Sequence, residues 1–323
     1  MFILMAACSL QIVSAETQTT WAAHGQGTIE AGEGLETSIS GPGLQYGFGE
    51  VRLIAKGEND KAFGEIEFEA VGSHIVNAVV GLKIHPAIAV QLGQYTVPLG
   101  MDINAPGGGL DLTKRGMDTP LTFDKGVGVM ASGKAPYGLS YAVGLFNPAT
   151  DRPVVSGGES GTDYSYAGRL MYDQGTLHVE GSFGASQHAD FLSQGEDYQA
   201  TDFGAQYGWN ALTAKAEFIL ANNIEGISDN NQTTWFAHLG YKIRPNIEAV
   251  VRHYASTYDG ISAGGASMSS QSLSNTFLGL NIWLLDTSRL QVNYVVVAGD
   301  NTSWSGQGGY TGNVFLIQYQ VAF

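Results

Sequence analysis

Basic residues are scarce in this chain. Lys and Arg number 15 among 323 residues against 30 Asp and Glu, a formal charge of −15. No basic stripe runs along it, which excludes a nucleic-acid partner held through its phosphates. A single cysteine, Cys8, excludes a disulfide framework and a cysteine-built zinc site. Outside the N-terminus no apolar run approaches the roughly 18 residues that a membrane helix needs. Charged residues make up only 14% of the chain, below the ~25% usual of soluble domains. The hydrophobic content of 44% is nevertheless too high for disorder. None of the seven histidines has metal-ligand spacing such as H-E-x-x-H, so neither a metal nor a cofactor is expected. Glycine is what abounds, with 44 residues, roughly twice the globular average.

Residues 2–13, FILMAACSLQIV, form one apolar run closed by Val13-Ser14-Ala15 and a polar stretch. This reads as a secretory signal peptide over 1–15, leaving a single domain over 16–323. No Lys or Arg precedes the apolar run, so translation is expected to begin further upstream. Cys8 offers a lipoprotein leader as the alternative.

Beyond residue 16 the dominant period is two. In 62–71, Glu65, Glu67 and Glu69 share one parity while Ile66, Phe68 and Ala70 share the other. Leu290, Val292, Tyr294 and Val296 alternate likewise with Arg289, Gln291 and Asn293. Segments of this kind are predicted at 20–31, 44–56, 62–71, 74–84, 87–96, 124–134, 137–146, 162–173, 175–186, 197–209, 211–222, 231–243, 246–257, 272–284, 288–299 and 312–323. Connections after even-numbered strands are tight, as at Pro86, Pro136 and Arg244-Pro245. Those after odd-numbered strands are mostly long. One end therefore carries turns and the other loops, the pattern of a transmembrane antiparallel β-barrel of about 16 strands. Lipid would require the apolar parity outward, and closure leaves no unpaired edge in hydrocarbon. A soluble β-sandwich with the apolar parity inward is the structural alternative. The last strand favours the barrel: Phe315, Ile317, Tyr319, Val321 and Phe323 resemble the C-terminal signature of bacterial outer-membrane barrels.

A barrel this wide encloses water, and the longest connection, 97–123, is the candidate constriction loop folded into the bore. Pro106 and Gly107-Gly108-Gly109 permit sharp turns. Asp102, Asp111, Lys114, Arg115 and Asp118 place both signs of charge on it. The flanking segments, GQYTVPLG (93–100) and DKGVGVMASG (124–133), resemble the phosphate-selective porin O and P family. The resemblance implies an outer-membrane barrel acting as a passive channel. That family's anion selectivity rests on clustered lumen bases, whereas this loop carries only Lys114 and Arg115 against three aspartates.

The wall parity assigned to the lumen is near balance. Arg52, Lys56, Lys83, Arg169, Lys215, Lys242, Arg252 and Arg289 stand against Glu30, Glu50, Glu65, Glu67, Glu69, Glu180, Glu217 and Glu248. Arginines facing the loop aspartates would set a transverse field across the constriction and favour small polar solutes. The acidic chain as a whole predicts mild cation preference, while the family resemblance implies anions; charge at the narrowest point decides. Trp21, Tyr172, Trp209, Trp235, Tyr241, Trp283 and Phe323 are expected in aromatic girdles.

Rival functions find little support. No G-x-S-x-G motif is present, although Ser186 and His188 lie near the loop end of a strand, and His178 and Glu180 share a lumen parity. A plugged barrel would need a segment of independent composition. Glycine-rich 305–309 reads as a loop tip. The sequence thus points to a non-enzymatic porin in the bacterial outer membrane. Its partners would be membrane lipid, ions and small hydrophilic solutes, with a homotrimer expected by fold analogy.

Overall fold

The computed structural model describes residues 18–32, 43–147, 164–187, 196–260, 270–299 and 304–323. The expected signal peptide and His188 lie outside them. Sixteen strands close into one antiparallel barrel in which each strand pairs with its chain neighbours, and β1 pairs with β16. They are β1 (Gln18–Gly32), β2 (Gly43–Glu58), β3 (Ala62–Glu69), β4 (His74–His85), β5 (Ile88–Thr96), β6 (Lys125–Lys134), β7 (Leu139–Phe146), β8 (Ser165–Gln174), β9 (Leu177–Ser186), β10 (Tyr198–Trp209), β11 (Leu212–Asn222), β12 (Asn231–Arg244), β13 (Ile247–Asp259), β14 (Gln271–Leu285), β15 (Ser288–Gly299) and β16 (Val314–Ala322). Each boundary lies within about three residues of its predicted place. Hairpins join even to odd strands, and the longer connections gather at the other end.

The barrel is inside out relative to a soluble protein. Val80, Leu82, Leu92, Val143, Leu170, Phe203 and Leu239 stand exposed on its outer wall. Gln26, Glu180, Asn275, Asn281, Gln291, Asn293 and Gln318 are buried on the inner one. Such an exterior matches hydrocarbon, and ring closure satisfies every strand edge there. Trp21, Trp209, Tyr241 and Phe323 remain exposed near the hairpin end, and Trp235 sits towards the other. Trp283 departs from the girdle expected of it. It pairs across strands with inward Arg289, whose guanidinium lies 5.8 Å from its ring centroid. Putting arginine at outward-facing Leu239, near the middle of β12, should destabilise the folded barrel by about 2–4 kcal/mol. Denaturant unfolding in lipid would measure it.

Register on β2 and β3 decides how the acidic ladder is neutralised. Lys56 pairs with Glu65 and Arg52 with Glu69 across the two strands. Lys56 Nζ lies 2.8 Å from Glu65, while Arg52 lies 2.6 Å from Glu67 and 3.4 Å from Glu69. Water-filled or not, this wall carries its counter-charges on the adjacent strand.

Candidate functional site

The connection between β5 and β6 turns into the barrel. Before it, within β5, Gly93 has φ 139°, and an added Cβ there would lie 1.9 Å from the Ala78 carbonyl oxygen, so the strand requires glycine at that point. The segment then makes one helical turn, α1 (Met101–Asn104), and two short 3-10 turns at Gly107–Gly109 and Thr119–Leu121.

What pulls it inward is apolar burial combined with backbone hydrogen bonding. Val97, Leu99, Leu121 and Phe123 join Tyr198, Ala200 and Ile219 of β10 and β11 in one buried cluster. Leu112 and Met117 join Phe236, Tyr254, Leu273, Phe277 and Val295 of β12 to β15 in another. The two buried apolar clusters both include residues of the loop. The polar wall supplies the rest: Asn281 donates to the Asp111 carbonyl (3.0 Å) and Gln291 to that of Leu110 (3.1 Å). Asn293 accepts from the Thr113 amide (2.9 Å), and Gln320 donates to the Gly108 carbonyl (2.9 Å). An irregular loop cannot satisfy its own backbone, so a ring of Asn and Gln does so.

The loop aspartates face this seat. Arg252, 2% exposed, donates to Asp102 (3.0 Å) and to Asp111 (2.8 Å), and its guanidinium stacks 4.3 Å from the Phe236 centroid. Lys215 adds a second cation to Asp111 at 2.7 Å. Burial raises the Asp111 carboxyl, but Lys215 and Arg252 outweigh it and hold the group below its ordinary value. Asp118 is also buried, at 1% exposure. Asp102 and Arg252, expected on the water-lined constriction, form a buried ion pair, and Asp118 is buried with neither carboxyl oxygen bonded. Of the wall arginines expected to face the loop aspartates, Arg252 meets Asp102 and Asp111 at ion-pair distance.

Lys114 and Arg115 look the other way. Lys114 pairs with Glu30 of β1 at 2.7 Å with 32% of its side chain exposed. Arg115 donates to the Asp102 and Ala105 carbonyls, the latter at 2.7 Å, and acts on the charges of Glu50 and Lys125. Opposite stand Arg52 and Glu50, 18% and 27% exposed and 2.8 Å apart. Lys125 of β6 donates to Thr96 and Asn77. Arg115 and Lys125 have no carboxylate within ion-pair distance among the described residues. The solvent-exposed charge of the bore therefore lies between the loop and β1 to β6.

Arg169 forms a bidentate contact with Glu180, to which His178 also bonds at 2.6 Å, and Arg289 is held by Gly108 and Gln320. Among the described residues no group of His, Cys, Asp and Glu is arranged to hold a metal. Ser186 is buried and bonded to Ser165 at 2.7 Å.

Segment 305–309, expected as a loop tip, also turns inward. Gln307 and Ser305 amides bond to Gln232 (2.6 Å) and Gln271 (2.7 Å), and Gly308 packs on Met117 and Pro120. It is a second inward segment that braces the first, and no loop tip. The sequence signal available for both seats was aromatic residues of inward parity, Phe236, Tyr254 and Phe277, in an otherwise polar set.

No family model matches the chain, and no curated protein matches it in sequence. Solved structures do match. An anion-selective porin from Comamonas acidovorans is similar with TM-score 0.70 and 14% identity over 95% of this chain and 100% of that one. Salmonella typhi OmpF in complex with daunomycin gives 0.70 and 14% over 94% and 97%. OmpT of Vibrio cholerae, an outer membrane protein in trimer form, gives 0.68 and 12% over 95% and 99%. At these identities what is shared is the fold, a closed barrel of the kind seen in bacterial outer-membrane porins.

Proposed function

We propose that this chain is a bacterial outer-membrane porin, a water-filled channel through which ions and small hydrophilic solutes diffuse passively. The observation that carries the reading is the division of the bore. One side is packed dry by the infolded loop, and the other keeps Lys114, Arg115, Glu50 and Arg52 in contact with solvent. Apolar solutes gain nothing from such a wall and lose their place in bulk water least readily where charged groups order it. Export through a cleaved leader over 1–15 accords with an apolar exterior that only a membrane can cover. A homotrimer is proposed by analogy with the trimeric OmpT fold. Liposome swelling in a size series of sugars would test the reading. Swelling should fall steeply with solute size, and liposomes that stay inert to the smallest solutes would contradict it.

Selectivity is read from two places. At the constriction, acids and bases interdigitate. In the sequence, the long connections other than 97–124 carry Glu33, Glu36, Asp151, Glu159, Asp163, Asp190, Glu196, Asp197, Glu225, Asp229 and Asp300, with Arg152 as their one Lys or Arg. These acids concentrate cations at the loop end, so mild cation preference is proposed, weakening as salt screens it. Arg115→Glu should raise the cation-to-anion permeability ratio several-fold, by a charge change of two at the narrow side; reversal potentials in a salt gradient measure it. The resemblance to the phosphate-selective porin O and P family supports a second reading. Arg115 and Lys125, which have no carboxylate partner among the described residues, would then hold passing anions. A reversal potential of anion sign with block by added phosphate would establish that reading in place of the first.

A further inference from the structure

Beneath α1 the wall holds carboxyls that solute passage leaves unexplained. Glu217 of β11 accepts from the Met101 amide (2.8 Å) and the Asp102 amide (2.9 Å). Asp202 of β10 accepts from the Ser182 hydroxyl (3.3 Å), which itself accepts from the Gly100 amide (2.9 Å). Asp102 gives one oxygen to Arg252, and its other is buried without a partner. Asp118, 1% exposed, has neither oxygen bonded.

These groups sense one another. Asp102, Asp202 and Arg252 act on the charge of Asp118, and Asp118 acts in turn on Glu217 and on Tyr254 of β13. Beyond Asp202, Glu180 is occupied by Arg169. Among the described residues Arg252 is thus the one cation in contact with this set of four carboxyls, and it is shared with Asp111.

A dry carboxylate without a donor is strongly disfavoured, and Asp118, which has none, sits with three further carboxyls that share one guanidinium, so the four cannot all be ionised. Either a cation or protons must neutralise the excess. Among the described residues no group is arranged to hold a metal, and Asp118, buried with both oxygens unbonded, is suited to hold a proton. Asp118 is the group best placed to carry one. Burial, and then the charge of Asp102, pushes its carboxyl up to about 8.

We infer that the infolded loop is latched to the wall by a proton-sharing carboxyl cluster in which Asp118 is neutral while the loop is seated, so that seating weakens as pH rises. The latch itself is a property of the barrel; that its release alters solute flow rests on the channel reading. Seated, Asp118 keeps its proton to about pH 8; released into water, it ionises near the ordinary 3.8. Release between those values sheds one proton. The latch is therefore strongest below about pH 4, loses about tenfold per pH unit up to about pH 8, and is flat above.

The test is hydrogen exchange of the 97–123 amides in the folded full chain, divided at each pH by the unprotected exchange rate and compared with strand amides. From about pH 5 to about pH 8 the loop's protection should fall about tenfold per unit and then level off. Asp118→Asn keeps the size but cannot ionise, and its loop protection should fall clearly less steeply with pH than that of the wild type. Should the asparagine variant not fold, Asp118→Ser takes its place with the same expectation. A flat wild-type profile, or a variant with the wild-type slope, would overturn the latch. Bilayer conductance on the same samples separates the two readings. Pores with flat loop protection retain the channel and reject the latch, whereas sloping protection without pores does the reverse.

Discussion

Arg252→Met should unseat the infolded loop while leaving the barrel closed. The guanidinium is buried between Asp102 and Asp111, and methionine fills its volume without its charge. Lys215 remains for Asp111, but Asp102 is left as a buried carboxyl with no cation in contact. Removing one partner of a buried pair costs about 3–5 kcal/mol, because the other charge stays behind. The loop can avoid that cost only by moving Asp102 towards water. Single-channel conductance should therefore rise and become noisy, with heat-modifiable gel mobility unchanged. Unaltered conductance with a simple loss of thermal stability would mean that the loop is held by its apolar contacts alone.

Gly116→Ala is the second large effect. A Cβ at Gly116 would lie 2.0 Å from Cζ of Tyr254 and 2.1 Å from its hydroxyl oxygen. Tyr254 cannot yield cheaply. It is fully buried, its ring meets Phe236 at 5.2 Å and Phe277 at 5.8 Å, and its hydroxyl accepts from Arg252 at 2.8 Å. Overpacking of this kind costs about 1–3 kcal/mol. The strain falls between Arg115 and Met117, so relief displaces Arg115 towards the solvent-exposed side. Conductance should fall and thermal unfolding should shift down. A variant with wild-type current and stability would show that the glycine is not in contact with Tyr254.

Much of the barrel was legible because a strand in a two-solvent wall has to alternate. The Lys56–Glu65 and Arg52–Glu69 pairs follow from parity once β2 and β3 are adjacent, and Pro86 and Pro245 mark turns that no central strand could hold. The infolded loop was legible as a long connection with Pro106 and three glycines. Its orientation was not. An irregular segment has no period, so nothing in 97–123 says that Asp102, Asp111 and Asp118 turn to the wall while Arg115 turns away. The same holds for 305–309, whose inward course depends on Gln232 and Gln271 of distant strands. Trp283 misled for a different reason. Aromatic residues near strand ends usually face lipid, but its parity is that of Asn281, and the adjacent strand offers it Arg289.

Planar-bilayer recording of the purified, refolded chain tests the central claim most directly. A dry-seated loop beside a solvent-exposed, charged passage predicts discrete conductance steps that grow with salt concentration and a reversal potential of cation sign in a salt gradient. Folded protein that inserts yet gives no steps would contradict the account, because the loop would then close the bore completely.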